Sequence, residues 1–179
     1  NITSAVSQAV NDNSQSKVTI SGIIKICMSF VALVNPLRCI PLFFYAVSAL
    51  KKPWRRALFL DMFLYEVHKT LYERKKPHFS TLFLNAGAHI QHHYFYNTKH
   101  IRDLPKNPNW YVDSSFDPIE DMLEVYDQII GDYLKLSKNE IGLMISTGLR
   151  QMPYNMTKFY YRLKEHSLFL NKIGVKFLK

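Results

Sequence analysis

Apolar positions recur with a helical period in two stretches of the chain. After Pro53, the residues Trp54, Ala57, Leu58, Leu64, Val67 and Leu71 return at near-helical spacing. This predicts a helix running to about Arg74 and closed by the basic run Arg74, Lys75, Lys76 and by Pro77. The second stretch opens at Asp117-Pro118, an N-cap and a first-turn proline with Glu120 as capping-box acid, and carries Ile119, Met122, Leu123, Tyr126, Ile129, Ile130, Tyr133 and Leu134. The acids on its outer face fall mainly in its first half, where the helix dipole favours negative charge.

Shorter apolar runs carry a different signal. Residues 79–84, Phe-Ser-Thr-Leu-Phe-Leu, ended by Asn85-Ala86-Gly87, predict a buried strand, and residues 141–146, Ile-Gly-Leu-Met-Ile-Ser, predict another. A last helix is expected from a cap near Thr157 through Phe159, Tyr160, Leu163, Phe169 and Leu170 to Gly174, followed by a short strand at residues 175–178. Strand, helix, strand, helix, strand with right-handed crossovers gives an α/β fold, a mainly parallel sheet with helices on both faces in three layers. Ligands would bind in the loops at the carboxyl ends of its strands. Residues 99–115, with Pro105, Asn107, Pro108 and Asn109, predict a long loop anchored by Trp110 and Tyr111.

Upstream, residues 1–19 form a polar helix or linker, and residues 20–50 form one or two apolar elements broken at Asn35-Pro36 and at Pro41. Lys25, Arg38 and the prolines divide that segment into charge-free runs of about 12 residues, short of the roughly 20 that a spanning helix needs. No transmembrane helix is expected; the segment suits buried elements or a membrane-apposed face. The division that follows is an amino-terminal portion, residues 1–52, and the α/β portion, residues 53–179.

Composition narrows the class. With 179 residues, 47% hydrophobic and 21% charged, the chain suits one packed domain and not a disordered segment or a disulfide-stapled miniprotein. The net charge of +9 would suit an anionic partner. However, there is no arginine-rich arm, and Lys51, Lys52, Arg55, Arg56 and Arg74, Lys75, Lys76 read as solvated helix ends, so no nucleic-acid partner is expected. Cys27 and Cys39 lie in apolar sequence without a second cysteine motif, which suits free thiols and a cytoplasmic address. The start at Asn1, without a basic-then-apolar leader, suits a processed or excised piece of something longer.

The densest chemistry lies at residues 85–94, where His89, His92 and His93 follow the first predicted strand. Neutral imidazole is a good ligand for a divalent cation such as zinc or manganese, and His89 with His93 or with His92 would converge if this segment opens a helix. The other reading is that these histidines hydrogen-bond a loop or an anionic substrate. Gly87 and Gly148 permit tight turns whose backbone amides could hold a phosphate or sulfate. Arg150 and Gln151 could clamp an anionic oxygen. Tyr94, Tyr96, Trp110 and Tyr111 are candidates for a sugar or base platform, or for loop anchors.

Four of these segments, in order, carry a family resemblance: Phe-Ser-Thr-Leu-Phe-Leu-Asn at 79–85, His-Ile-Gln-His-His-Tyr at 89–94, Val-Tyr-Asp-Gln-Ile-Ile-Gly at 125–131 and Leu-Met-Ile-Ser-Thr-Gly at 143–148. The stretch from residue 57 to 175 resembles the carboxyl-terminal half of the alkaline phosphatase superfamily, in its type I phosphodiesterase, nucleotide pyrophosphatase and sulfatase-like branch. The resemblance implies part of a larger fold of that kind, with zinc ligands in the loops after the two strands. One register places His92 on the family's histidine ligand and Ala88 on its aspartate; the other places His89 and His93 on the pair. Neither supplies the carboxylate, and Ser146-Thr147-Gly148 stands where the family has Ser-Asp-His.

The expectation is therefore a hydrolase-like domain acting on a phosphate or sulfate ester, such as that of a glycan or nucleotide. His89, His92 and His93 would bind one divalent metal or the transferred group, and Arg150 with Gln151 would stabilise its oxygens. The alternative is a catalytically degenerate module that binds an anion or a partner through the same face.

Overall fold

Helix Arg55–Lys75 is the element on which most of the others pack. The computed structural model describes residues 20–102, 105–137, 141–148, 151–152 and 163–175. Among them six α-helices follow in order: α1 (Ile20–Leu33), α2 (Cys39–Ser48), α3 (Arg55–Lys75), α4 (Ala86–Tyr94), α5 (Pro118–Leu136) and α6 (His166–Lys172). Short 3-10 turns occur at Pro36–Arg38 and Phe95–Asn97. Helices α1, α2, α4 and α5 all pack on α3, and α4 also packs on α5.

The expected three-layer α/β fold is overturned: no strand forms among the described residues. Residues 79–84 form no regular element. Leu82 and Leu84 turn onto the helical core, whereas Phe79 and Phe83 point outward. Residues 141–148 run as exposed irregular chain. A short apolar run has the same periodicity in a buried strand as in a segment laid on helices, and here the partners available to it are helix faces. Of the third expected strand, residues 176–178 lie outside the described residues, as does the expected cap near Thr157 with Phe159 and Tyr160.

The two periodic stretches do form helices. Inward from α3 come Leu58, Met62, Phe63, Tyr65 and Val67, with Trp54 just before it; from α5 come Met122, Val125 and Ile129. Leu42 from α2, Ile90 and Tyr94 from α4 and Val112 from the long loop complete one core, and each fully buried large side chain adds about 1.5–3 kcal/mol. Helix α3 ends where Lys76 takes the left-handed conformation, φ 44°, with its N–H on the Tyr72 carbonyl at 2.8 Å.

The break at Asn35-Pro36 is real: α1 ends at Leu33 and the Asn35 side chain accepts from the Leu37 N–H at 3.0 Å to cap the 3-10 turn. Pro41 breaks nothing. It is the third residue of α2, in the first turn, where an amide N–H has no intrahelical acceptor to lose. Residues 49–54 then turn into α3.

Two ionic clusters fix the packing. Asp121 of α5 receives both Nε and Nη2 of Arg55, at 2.9 and 3.0 Å, and the Trp54 indole N–H at 2.7 Å. Burial alone would raise the Asp121 carboxyl, but these hydrogen bonds outweigh it and hold it below the usual carboxylate range. Asp132, three turns further along the same face of α5, accepts from Arg38 at 2.8 Å and from the Tyr65 hydroxyl at 2.6 Å, while Arg38 also reaches Glu66 at 3.5 Å. These contacts join the α1–α2 connection to α3 and α5. Cys27 is exposed, Cys39 is half-buried, and both are free thiols.

Candidate functional site: the histidine helix

Helix α4 carries all three candidate histidines, and its position is set by a buried carboxylate. Asp61, on the inward stripe of α3, accepts from the Asn85 N–H at 3.1 Å, the Ala86 N–H at 2.8 Å and the Tyr126 hydroxyl at 2.8 Å. The Tyr126 oxygen in turn accepts from the Gly87 N–H at 2.8 Å. The first amides of α4 are thus capped by side chains of α3 and α5. Burial pushes the Asp61 carboxyl up, and the three hydrogen bonds oppose that shift.

Gly87 permits the close approach of α4 to α5, because a Cβ there would stand 3.1 Å from the Tyr126 ring and 3.3 Å from the Met122 sulfur. The expectation that the turn at Gly87 offers free amides to an anion is corrected by this geometry. Those amides are already filled by Asp61 and Tyr126.

His89 and His93 lie one turn apart on the exposed side of α4, with ring centroids 4.7 Å apart. Desolvation and the neighbouring His93 and His92 push the His89 pKa below its usual value, so its imidazole favours the neutral form. The Tyr111 hydroxyl lies 3.3 Å from His93 Nδ1, so a ligand of His93 would be taken by Nε2. Tyr111 itself stacks on Tyr94, with centroids 5.7 Å apart, and Tyr94 packs edge-on against Trp54 in the core. The long loop is therefore pinned beside the histidines by aromatic contacts, with Trp110 exposed at its tip.

His92 is engaged separately. The Gln151 amide nitrogen donates to the Ala88 carbonyl at 3.3 Å and lies 3.4 Å from His92 Nε2. Of the expected second loop, Gln151 lies against the histidine helix. Thr147 and Gly148 are exposed chain, with nothing within 4 Å of a Cβ built at Gly148, and Arg150 lies outside the described residues.

The three histidines do not converge on one point. Among the described residues, the trio that brings its ligand atoms within 4.8 Å of one another is His100, Asp117 and Glu120. Its carboxylates are already engaged. Asp117 caps α5 by accepting from Ile119 and Glu120 N–H at 3.1 and 3.2 Å, and its other oxygen takes Thr98 Oγ1 and the Lys99 N–H. Glu120 pairs with the Lys99 ammonium instead of turning back to complete a capping box.

Sequence reasoning missed Asp61 and Tyr126, which orient α4, and His68, whose Nδ1 lies 2.6 Å from the Tyr133 hydroxyl and whose Nε2 lies 3.0 Å from Ser80 Oγ. A signal for Asp61 was present: a carboxylate one turn from Leu58 and Tyr65 on the inward stripe of a helix must find donors. No family model, no curated protein and no solved structure matches the chain.

Proposed function

We propose that the chain is a hydrolase-like domain that takes a phosphate or sulfate ester on the exposed side of α4, between the His89/His93 pair, His92, Tyr111 and Gln151. The observation that supports this reading is the contact of Gln151 with Ala88 and His92 across some sixty residues of chain, which brings its side chain beside the histidine helix. The imidazoles supply neutral donors that the outer oxygens of such an ester accept, His92 through Nδ1 because its Nε2 faces the Gln151 amide. The chain's +9 net charge favours the approach of an anion.

The donor set suits a divalent cation in part. His89 and His93, one turn apart, would supply two nitrogen ligands of the three or four that zinc takes, leaving positions open to water and to the ester. Bound there, the cation would supply Lewis-acid polarisation of the ester oxygen. For the chain's own part, Tyr111 orients His93, the lowered pKa of His89 keeps its lone pair available, and Gln151 holds His92.

A second reading, binding without turnover, is favoured by one observation: the α4 amides that could have stabilised a transferred group are consumed by Asp61 and Tyr126. One set of measurements on the full chain separates the readings: equilibrium dialysis against zinc and manganese, affinity for aryl phosphate and aryl sulfate, and their hydrolysis. The hydrolase reading expects metal-dependent turnover that is lost in His89→Ala/His93→Ala. Ester binding without turnover establishes the second reading, and failure to bind ester with or without metal overturns both.

A further inference from the structure

We propose that α1 and α2 together form a face that docks on an anionic lipid bilayer surface, independently of the ester site. Both helices pack on α3, and among their described side chains each leaves large apolar ones exposed. Among the described side chains of α1, the large apolar ones left exposed are Ile20, Ile24 and Met28, each four residues from the last. On α2 they are Ile40, Phe43, Phe44 and Val47, again one helical stripe, with Ile40 78% and Phe43 69% exposed. Isolated apolar residues at a surface are ordinary, whereas two adjoining helices that each present such a stripe are not. An apolar groove of about 450 Å³, lined by Phe30, Cys39, Ile40, Phe43, Ala46 and Phe59, opens where the two helices meet α3.

Charge identifies the occupant. From residue 20 to residue 53 the sequence contains no Asp or Glu. At the end of α2 stand exposed Lys51 and, just beyond in α3, exposed Arg56. At the other end, Arg74 donates to the Ala32 carbonyl at 3.4 Å, which sets the exposed group Arg74, Lys75 and Lys76 beside the carboxyl-terminal end of α1. The apolar face thus lies between two basic clusters, the arrangement in which aliphatic and phenylalanine side chains enter the acyl boundary while lysine and arginine stay at the headgroups. Among the described residues no helix is long and apolar enough to cross a membrane.

The test is co-sedimentation of the full chain with phosphatidylcholine vesicles, with and without phosphatidylserine. Binding is expected to the mixed vesicles and to weaken as salt rises. It should fall by at least about tenfold in Ile40→Asp/Phe43→Asp and by about fivefold for each basic residue removed in Lys51→Gln/Arg56→Gln. A measurement that needs no disruptive variant is the emission of an environment-sensitive label on exposed Cys27 in a Cys39→Ser background, expected to shift to the blue on addition of mixed vesicles. Absence of sedimentation and of the spectral shift overturns the proposal. So does a solution dimer that Ile40→Asp/Phe43→Asp dissociates, since a second copy of the chain would then cover the face.

Discussion

Asp61 shows what one side chain contributes to placing the histidines. It sits 3% exposed on a helix stripe otherwise built from Leu58, Met62 and Tyr65, and it ends three donors that would be left unpaired by a smaller residue. Asp61→Ala is expected to cost about 3 kcal/mol in urea unfolding, and Asp61→Asn clearly less; a loss below about 0.5 kcal/mol for the alanine variant would refute the capping role. Gly87 presents a contest of two effects. Replacing a helical glycine by alanine ordinarily gains about 1 kcal/mol, but the new methyl would press on a Tyr126 ring held by Asp61 and the Gly87 amide itself. The overpacking cost of about 1–3 kcal/mol wins, so Gly87→Ala should lower the unfolding midpoint and not raise it. Tyr111→Phe removes the group facing His93 Nδ1 without touching the stack on Tyr94, and should weaken zinc binding about tenfold at unchanged helicity.

At the scale of elements, α5 is the helix whose start is best determined, because Asp117 uses both oxygens, one for the first amides of the helix and one for Thr98 and Lys99. Asp117→Ala is expected to cost about 2 kcal/mol, the upper range for a lost cap, and to loosen the loop that carries Tyr111; thermal unfolding and exchange of the Lys99 amide would report the two effects separately. This helix and α3 were legible in the sequence because long periodic stripes, a proline at the start of α5 or just before that of α3, and a basic terminus all point the same way. The strands were not. In residues 79–84 the apolar character of Leu82 and Leu84 reflects packing on helices, and six residues of apolar sequence do not say which kind of partner they meet. Pro41 misled for a related reason: its effect depends on its distance from the helix start, which the sequence of an apolar run does not mark.

For the molecule as a whole, partly desolvated histidines couple stability to pH. Burial lowers His68 below its ordinary value of 6.5, and His89 is lowered by desolvation and its histidine neighbours. Such a base binds fewer protons folded than unfolded between its two pKa values. Stability should therefore be highest above pH 6.5 and fall as pH drops through 6.5 toward the folded value. The decline below pH 6.5, followed by chemical denaturation, should be smaller in His68→Gln; an identical decline would show that another group is responsible. Within the candidate site, the sequence disclosed the histidines and Gln151 as residue types able to bind an ester. It could not disclose that His92 turns to Gln151 while His93 turns to Tyr111, since those pairings depend on where the long loop and residues 151–152 come to rest. The central claim, that α4 presents a binding face, is tested most directly by following the imidazole resonances of the full chain by NMR during titration with zinc and then with phenyl phosphate. The account predicts saturable shifts of His89 and His93 with the metal and of His92 with the ester, while His68, bonded to Tyr133 and Ser80, stays fixed. Titrations in which all the histidines move alike, or none moves, would contradict it.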